Sequence, residues 1–599
     1  MFLTSLLIAA GLLVAETPDT LQAVTVVADK GVVVSRTDTV SFKHYTTATE
    51  ALLRVPGLGI SDYGGLAGLK GVSLRGLGTA HTDIYLDGVR VSNFQSGQND
   101  LGMLPLEVLG NAVVDYAQNS VSFRTAKPVF GDSPFAGQIG LQAGSFGTWM
   151  PSVRFDVKAS ERVAISAYAS GILTQGDFPY GNGADRRTGN DLKQIRAGYD
   201  VFGTLTGGEW QIKSYLNASD RGTPGSLSWP SDDRQQDKNY VMQGSLRKTF
   251  SDLYTLNISA KGAWDDIYYK SAWGDSEYDF TDLQLNSSHT FRLTDWWGVS
   301  LAADIERGTL KSPGLYDAAR TAATAALATA IRLGRFQADL ALQYNGTFDK
   351  GKAALNSFSP SVDLRFTLFE GFDLVTFGRR AFRAPTFNEL YYPGYGNPDL
   401  KPEDAWLFDI GIDWHPALGD NWTLGLKVDG YYNTLKDKII SAPSADDPWI
   451  WLPYNVGKVD AKGIDASLSL RYDNGTFAGG LSARYARQSA LDKTPDSYTF
   501  NQQIPYIAKN TVVLAADAAI AGWRLDAVWN WRAGRFDASG EMPDWNTLDL
   551  SLRKDFQLGK VGVLGLNISV RDLLDCRYEL VRDYPMPGRS ILGGFTFKF

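Results

Sequence analysis

Two polar stretches carry the side chains best suited to hold something. Residues 175–191, QGDFPYGNGADRRTGND, and residues 222–237, GTPGSLSWPSDDRQQD, place Asp177, Asp185, Asp191, Asp232, Asp233 and Asp237 among glycines and prolines. Ca²⁺ takes six to eight oxygen ligands, and aspartates on adjacent turns could converge on one ion. A solvated acidic rim is the alternative, and the stronger of the two. Catalytic chemistry has less to work with. His44, His81, His289 and His415 are dispersed, with no H-E-x-x-H spacing for zinc. Residues 346–353, GTFDKGKA, follow a P-loop up to Ala353, which stands where a Ser or Thr would bind magnesium. No buried strand leads into that segment, and no G-x-S-x-G elbow occurs. Cys576 is the single cysteine, so there is no intramolecular disulfide, and a packing role suits it best. These residues point to binding rather than catalysis, with no cofactor required.

The elements that position them show a period of two. In residues 254–264, YTLNISAKGAW, the residues Tyr254, Leu256, Ile258, Ala260, Gly262 and Trp264 share one face, and Asn257, Ser259 and Lys261 the other. FQADLALQY (336–344), WTLGLKVDGYY (422–432) and EWQIKSYLN (209–217) repeat the alternation. Each segment has about 9–11 residues, the length a tilted strand needs to cross a bilayer. Aromatic rings bracket the apolar faces, as the two membrane interfaces favour. A soluble sandwich would alternate as well, but with strands nearer 5–6 residues and no brackets. In lipid such a sheet must close, because an open edge leaves backbone groups without partners. From residue 138 to the end, at roughly 20 residues per strand and connection, about 22 strands fit, a number used by plugged outer-membrane transporters. The chain ends GGFTFKF, with Phe595, Phe597 and Phe599 on one face. Residues 318–333, AARTAATAALATAIRL, are rich in helix formers, and we read them as a small-residue strand beside a turn. Composition agrees: 61 Gly, 12% aromatic and one Cys in 599 residues. A net charge of −8 and a pI near 5.3 argue against a nucleic-acid partner.

The first quarter is different. Residues 1–15, MFLTSLLIAAGLLVA, fit the apolar core of a secretory signal peptide with cleavage after Ala15, although no Lys or Arg precedes it. Residues 30–137 mix short patterns: a helix at 48–54, strands around VSLRG and TDIYLDGVRVS with an Asp87-Gly88 turn, then a helical turn and strand in LPLEVLGNAVVDY. That is a small α+β globule ahead of a barrel that would otherwise be an open hole. Between leader and globule, residues 19–30, DTLQAVTVVADK, form one strand with nothing nearby to pair with.

Several segments resemble the TonB-dependent outer-membrane receptors. They are ALLRVPGLGI (51–60), LRGLGTAHTDIYLDGVRVS (74–92) and LPLEVL (104–109) in the globule, then RAFRAPTFNELYYPGYGNPDLKPE (380–403) and YPMPGRSILGGFTFKF (584–599) in the barrel. The family's usual Arg-Gly-Pro at the end of the plug is missing here; Gly137 and Ile139 still fit. The resemblance implies an all-β membrane protein, a 22-stranded antiparallel transmembrane β-barrel with an N-terminal α+β plug domain inside the lumen. It divides into a signal peptide (1–15), a TonB box and N-terminal extension (16–29), a plug (30–137) and a barrel (138–599). It implies location in the outer membrane of a Gram-negative bacterium, among lipid and lipopolysaccharide. It also implies that Asp19, Thr20, Leu21, Gln22, Ala23, Val24, Thr25, Val26 and Val27 form a TonB box. This strand would add to a sheet of TonB, which its inner-membrane complex energises from the proton gradient. Arg75, in the LRG match, would be a plug charge paired with carboxylates of the barrel wall. DTL at the box and GTPGSLSWPSDDRQQDKNY (222–240) look most like cobalamin receptors, in which calcium orders the early loops, so a cobalamin-type ligand is expected. A surface lipoprotein capping the barrel is a further partner such a receptor could take. Ferric siderophore or haem receptors of the same family are the alternative, and a passive porin or an adhesin the alternative of another class.

Overall fold

Alternating strands that meet only their chain neighbours build a barrel by hairpins, and here the sheet closes on itself. The computed structural model describes residues 36–599 except 43–46, 56, 92–93, 444–450, 496, 498 and 538. The signal peptide (1–15) and the TonB box (19–27) therefore lie outside the described residues. Twenty-two strands form one closed antiparallel sheet, the number expected. The seam joins Ser590–Lys598 to Phe135–Gly144, with Phe597 opposite Ile139 and Thr596 opposite Gly140. Gly137 and Phe599 exchange backbone hydrogen bonds of 2.8 and 3.0 Å. A Cβ at Gly137 would lie 2.4 Å from the Phe599 ring, so glycine lets the terminal aromatic lie flat across the seam. The first barrel strand begins at Phe135, slightly ahead of the boundary drawn at residue 138.

The faces are those the alternation assigns. Ile258, Leu340, Leu342 and Ile410 point outward and exposed, while Asn257, Ser259 and Lys261 are buried toward the lumen. This inverts a soluble protein, because the solvent outside is hydrocarbon. Strands are longer than the crossing segments: Pro230–Ser251 has 22 residues and Trp451–Asp473 has 23. The surplus extends beyond the bilayer at the end where the long connections lie, which is the extracellular end in such barrels. The alanine-rich segment is a strand, Tyr316–Leu333, paired on both sides. Closure overrides its helix propensity, since a helix there would leave two neighbouring strands with open edges. GTFDKGKA ends a hairpin strand, Phe336–Asp349, and begins its turn, so it cradles no phosphate.

The plug sits in the lumen. Its sheet has the order β1 (Thr37–Ser41), β6 (Leu109–Asp115), β7 (Ser120–Thr125), β4 (Asp83–Leu86) and β5 (Val89–Val91); a second hairpin joins β2 (Leu58–Asp62) to β3 (Lys70–Leu74). Helix α1 (Ala48–Leu52) is capped by the Thr47 hydroxyl. Asp87 and Gly88 have φ of 47° and 82°, the paired positive values of a tight hairpin turn. Leu52, Leu58, Leu74, Val114, Val121 and Phe123 fill the core.

Candidate functional site: the plug, its ion pairs and the extracellular vestibule

The lumen wall is acidic where the plug is basic. Three neighbouring strands, Glu403–Trp414, Trp422–Pro443 and Trp451–Asp473, aim Asp409, Asp413, Asp429 and Asp465 inward. Asp429 stands directly opposite Asp465 in register, a like-charge pair that is unfavourable alone. Two plug arginines offset half of that charge, and each bridges two of the carboxylates. Arg36, just before β1, pairs with Asp413 and donates to Asp429 at 2.6 Å. Arg75 donates to Asp409 at 2.7 Å and to Asp465 at 3.0 Å. The Arg75 guanidinium lies 4.3 Å from the ring centres of both Tyr116 of the plug and Tyr431 of the wall. Its backbone is held at φ 45°, outside the usual range for a side-chain-bearing residue. Burial pulls the Arg75 guanidinium toward losing its proton, and Asp465 and Asp409 outweigh that, so the net shift is upward and the charge stays.

Further pairs ring the plug. Lys213 on the wall meets Asp87 of the plug at 3.0 Å and Asp200 at 2.9 Å. Arg221 meets plug Asp100 at 2.8 Å and wall Asp237 at 3.4 Å, and Arg196 meets Glu107 at 3.1 Å. His81 of the plug contacts Glu403, which Arg383 also engages.

The six aspartates proposed for calcium are not brought together. Asp237 serves Arg221, and Asp191 pairs with Arg234 at 2.9 Å. Asp233 accepts a hydrogen bond from the Tyr269 hydroxyl at 2.7 Å. The backbone oxygen of Asp177 accepts one from Arg186 at 2.9 Å, and Asp185 and Asp232 are exposed. Arg234 within these stretches, Arg221 just before the second of them and Tyr269 engage three of the six carboxylates. Among the described residues, the acidic side chains that do converge are Asp266, Glu277 and Asp279, on an exposed hairpin, with Lys238 at 3.1 Å from Asp266.

Toward the extracellular end, two plug loops reach the long connections. Lys70 gathers one loop by donating to the carbonyls of Gly65 and Gly68, each at 2.7 Å. Asn190 donates to the Gly64 carbonyl at 3.2 Å. The other loop carries Phe94, which packs among Phe280, Leu310 and Phe387. Helix α2 (Phe387–Tyr391) opens with a Thr386/Glu389 capping box, and its first amides donate to the carbonyls of Phe94 and Gln95 at 2.7 and 2.9 Å. The segment RAFRAPTFNELYY thus holds an extracellular loop against the plug. Nothing in the sequence marks Phe94 for this role; it is one aromatic in a mixed stretch.

A filled lumen, ion pairs of both polarities between plug and wall, and loops meeting at the outer end describe a gated receptor. The family model described as "TonB dependent receptor-like, beta-barrel" matches residues 90–573, and "TonB-dependent Receptor Plug Domain" matches residues 19–127. The chain belongs to the TonB-dependent receptors. These are transporters and receptors of the Gram-negative outer membrane that work with TonB. Among curated relatives, this receptor is 22% identical over 603 residues to the vitamin B12 transporter BtuB of Vibrio vulnificus, covering 92% of this chain and 90% of that protein. It is 28% identical over 231 residues to the BtuB of Photobacterium profundum, covering 36% of this chain and 34% of that protein. Its fold matches the FrpB iron transporter of Neisseria meningitidis with a TM-score of 0.77 at 14% identity, covering 94% of this chain and 99% of that one. The copper transporter OprC matches with 0.76 at 15% identity over the same shares.

Proposed function

We propose that this receptor imports cobalamin or a related corrinoid across the outer membrane, and that TonB drives the import by pulling on residues 19–27. The likeness to a vitamin B12 transporter along 92% of the chain carries the reading. Ligand binds from outside, over the two plug loops and the long connections. The pull enters at the N-terminus; among the described residues it meets Arg36 first, and then β1, an edge strand whose backbone ladder runs to β6 alone. An edge strand is the cheapest to peel from a sheet, because only one ladder breaks. Once Arg36 leaves Asp413 and Asp429, Lys427, which donates to the Thr37 carbonyl at 2.9 Å, is the next hold on β1, and the Arg75 pairs hold the plug further along the chain.

The test uses whole cells making the receptor in a background that lacks other corrinoid receptors. Labelled cyanocobalamin should bind in the cold and accumulate on warming only where TonB is present. Ferric siderophores and haem, tried in parallel, should neither accumulate nor compete. Accumulation of a ferric siderophore or haem without cyanocobalamin would reassign the ligand within the family; accumulation without TonB would reject the coupling.

A further inference from the structure

Buried arginines at the plug–wall boundary fall into two groups. Arg36, Arg75, Arg196, Arg221 and Arg383 each meet a carboxylate. Arg532 and Arg535 are 6% and 3% exposed, and among the described residues neither has an ion-pair partner. Arg532 donates to the plug carbonyls of Leu58 and Leu53 at 3.1 and 3.2 Å. Arg535 donates to the carbonyls of Glu579 and Pro543 at 2.8 and 3.1 Å. The Nε–H of each is buried and has no hydrogen-bond acceptor. Both side chains line one cleft, whose other walls include Gly57 and Gly59 of the plug, Gln488 and Tyr506. The cleft lies at the long-loop end: Arg532 is next to last in the strand Trp523–Ala533, and Tyr506 lies in the connection between Phe477–Asp492 and Asn510–Ile520.

Carbonyl oxygens satisfy N–H directions but bring no net charge. Neither cation therefore has a carboxylate in salt-bridge contact, which buried charges ordinarily have; Asp544 and Glu579 act on Arg535 only from a distance. A guanidinium presents its donors in a fork that fits the oxygens of phosphate or carboxylate. We propose that this cleft is an oxyanion subsite, which takes a phosphate or carboxylate group from the extracellular side between Arg532 and Arg535. The anion arrives either as part of the transported ligand or free from solution. The site holds whichever nutrient is carried, so it does not stand or fall with the corrinoid reading.

The first measurement is calorimetric titration of inorganic phosphate into the full chain in detergent at low ionic strength. Saturable binding is expected, and Arg535→Gln should weaken it at least tenfold. Gln488→Glu is the second variant. It keeps an acceptor for the Tyr431 hydroxyl, which now donates to Gln488 Oε1 at 3.2 Å, and it supplies an anion from within. It should abolish phosphate binding and raise the thermal unfolding midpoint, and it decides the matter if Arg535→Gln does not fold. Cyanocobalamin carries a phosphodiester and cobinamide does not. Phosphate that competes with the first but not the second marks a ligand-borne group; phosphate that binds and competes with neither marks a free ion. Absence of saturable phosphate or acetate binding to the unaltered chain overturns the subsite, as does unchanged binding in both variants.

Discussion

Arg75→Met should loosen the plug without unfolding the barrel. Met keeps an unbranched stem but is shorter and lacks the guanidinium that lies over Tyr116 and Tyr431, and it adds no new strain at φ 45° because one L side chain replaces another. What disappears is the charge, together with its two ring contacts. Asp409 and Asp465, whose side chains are 1% and 6% exposed, lose their cation. Removing one partner of a buried pair costs about 3–5 kcal/mol, because the other is left as an uncompensated buried charge. At about 1.4 kcal/mol per factor of ten, plug opening should become roughly two to four decades more frequent. Opening can be read from thiol labelling of Ala112→Cys, a fully buried plug core position, in a Cys576→Ser background. When reclosing outpaces labelling, the rate reports the open population. The combination Arg75→Met, Asp409→Asn and Asp465→Asn should recover most of the loss, since replacing a whole buried ion set by neutral groups is often close to neutral. Labelling of Arg75→Met within threefold of the parent, or no recovery in the combination, would refute the account.

Three further outcomes are expected. Leu340→Arg, outward and 40% exposed, should destabilise the barrel by about 2–4 kcal/mol if it lies near the bilayer midplane, and inward Gln343→Arg much less, by urea titration of heat-modifiable mobility. If residues 19–27 add to TonB as proposed, Leu21→Pro or Val24→Pro should abolish TonB-driven accumulation and spare ligand binding in the cold, because proline removes an amide that strand addition needs, while Ala at either position should be milder. Burial pushes the Asp62 carboxyl of the plug up to about 6 despite the nearby Lys70; a raised folded value means its contribution is present below about 3.8 and lost as pH rises through 6, so Asp62→Asn should remove part of the rise in plug opening between pH 4 and 7.

The sequence made the barrel legible through single strands. Residues 254–264 alone show which face meets lipid, because hydrocarbon outside and water or plug inside impose opposite demands on adjacent residues. The plug hairpin was legible at Asp87-Gly88 for a similar local reason: only a few residue pairs accept positive φ twice. Arg75 could be singled out by its motif, but its partners lie 334 and 390 residues away. No periodicity connects a plug turn to Asp409 and Asp465, since pairing across the lumen is set by the closure of the whole sheet. The surroundings of the aspartates in the two early loops were illegible for a related reason. Spacing leaves convergence and a solvated rim both open, and does not show that Arg221 and Arg234 take Asp237 and Asp191 as partners. Arg532 and Arg535 carry no mark at all in the sequence; what distinguishes them is the carboxylate each lacks.

Apart from apolar patches where Leu407, Leu435 and Trp545 join the plug core and Phe280 and Phe387 hold Phe94, the boundary between plug and wall is polar, and this has a mechanical consequence. An apolar seam would resist separation in proportion to its area, at roughly 25 cal/mol per Å² exposed to water. Along this boundary Gln194 donates to the Gly102 carbonyl at 3.2 Å, Gln243 to Leu86 at 3.3 Å and Asn433 to Arg75 at 3.4 Å. Water entering the seam replaces such bonds, and the net loss for each is only about 0.5–1.5 kcal/mol. The buried ion pairs behave differently in time rather than in total. Each is strongly held while one partner remains dry, yet both partners are well solvated once water reaches them. The plug is therefore secure against small fluctuations that expose half a pair, and under the proposed pull on the N-terminus it would yield once a directed force opened Arg36 and later Arg75.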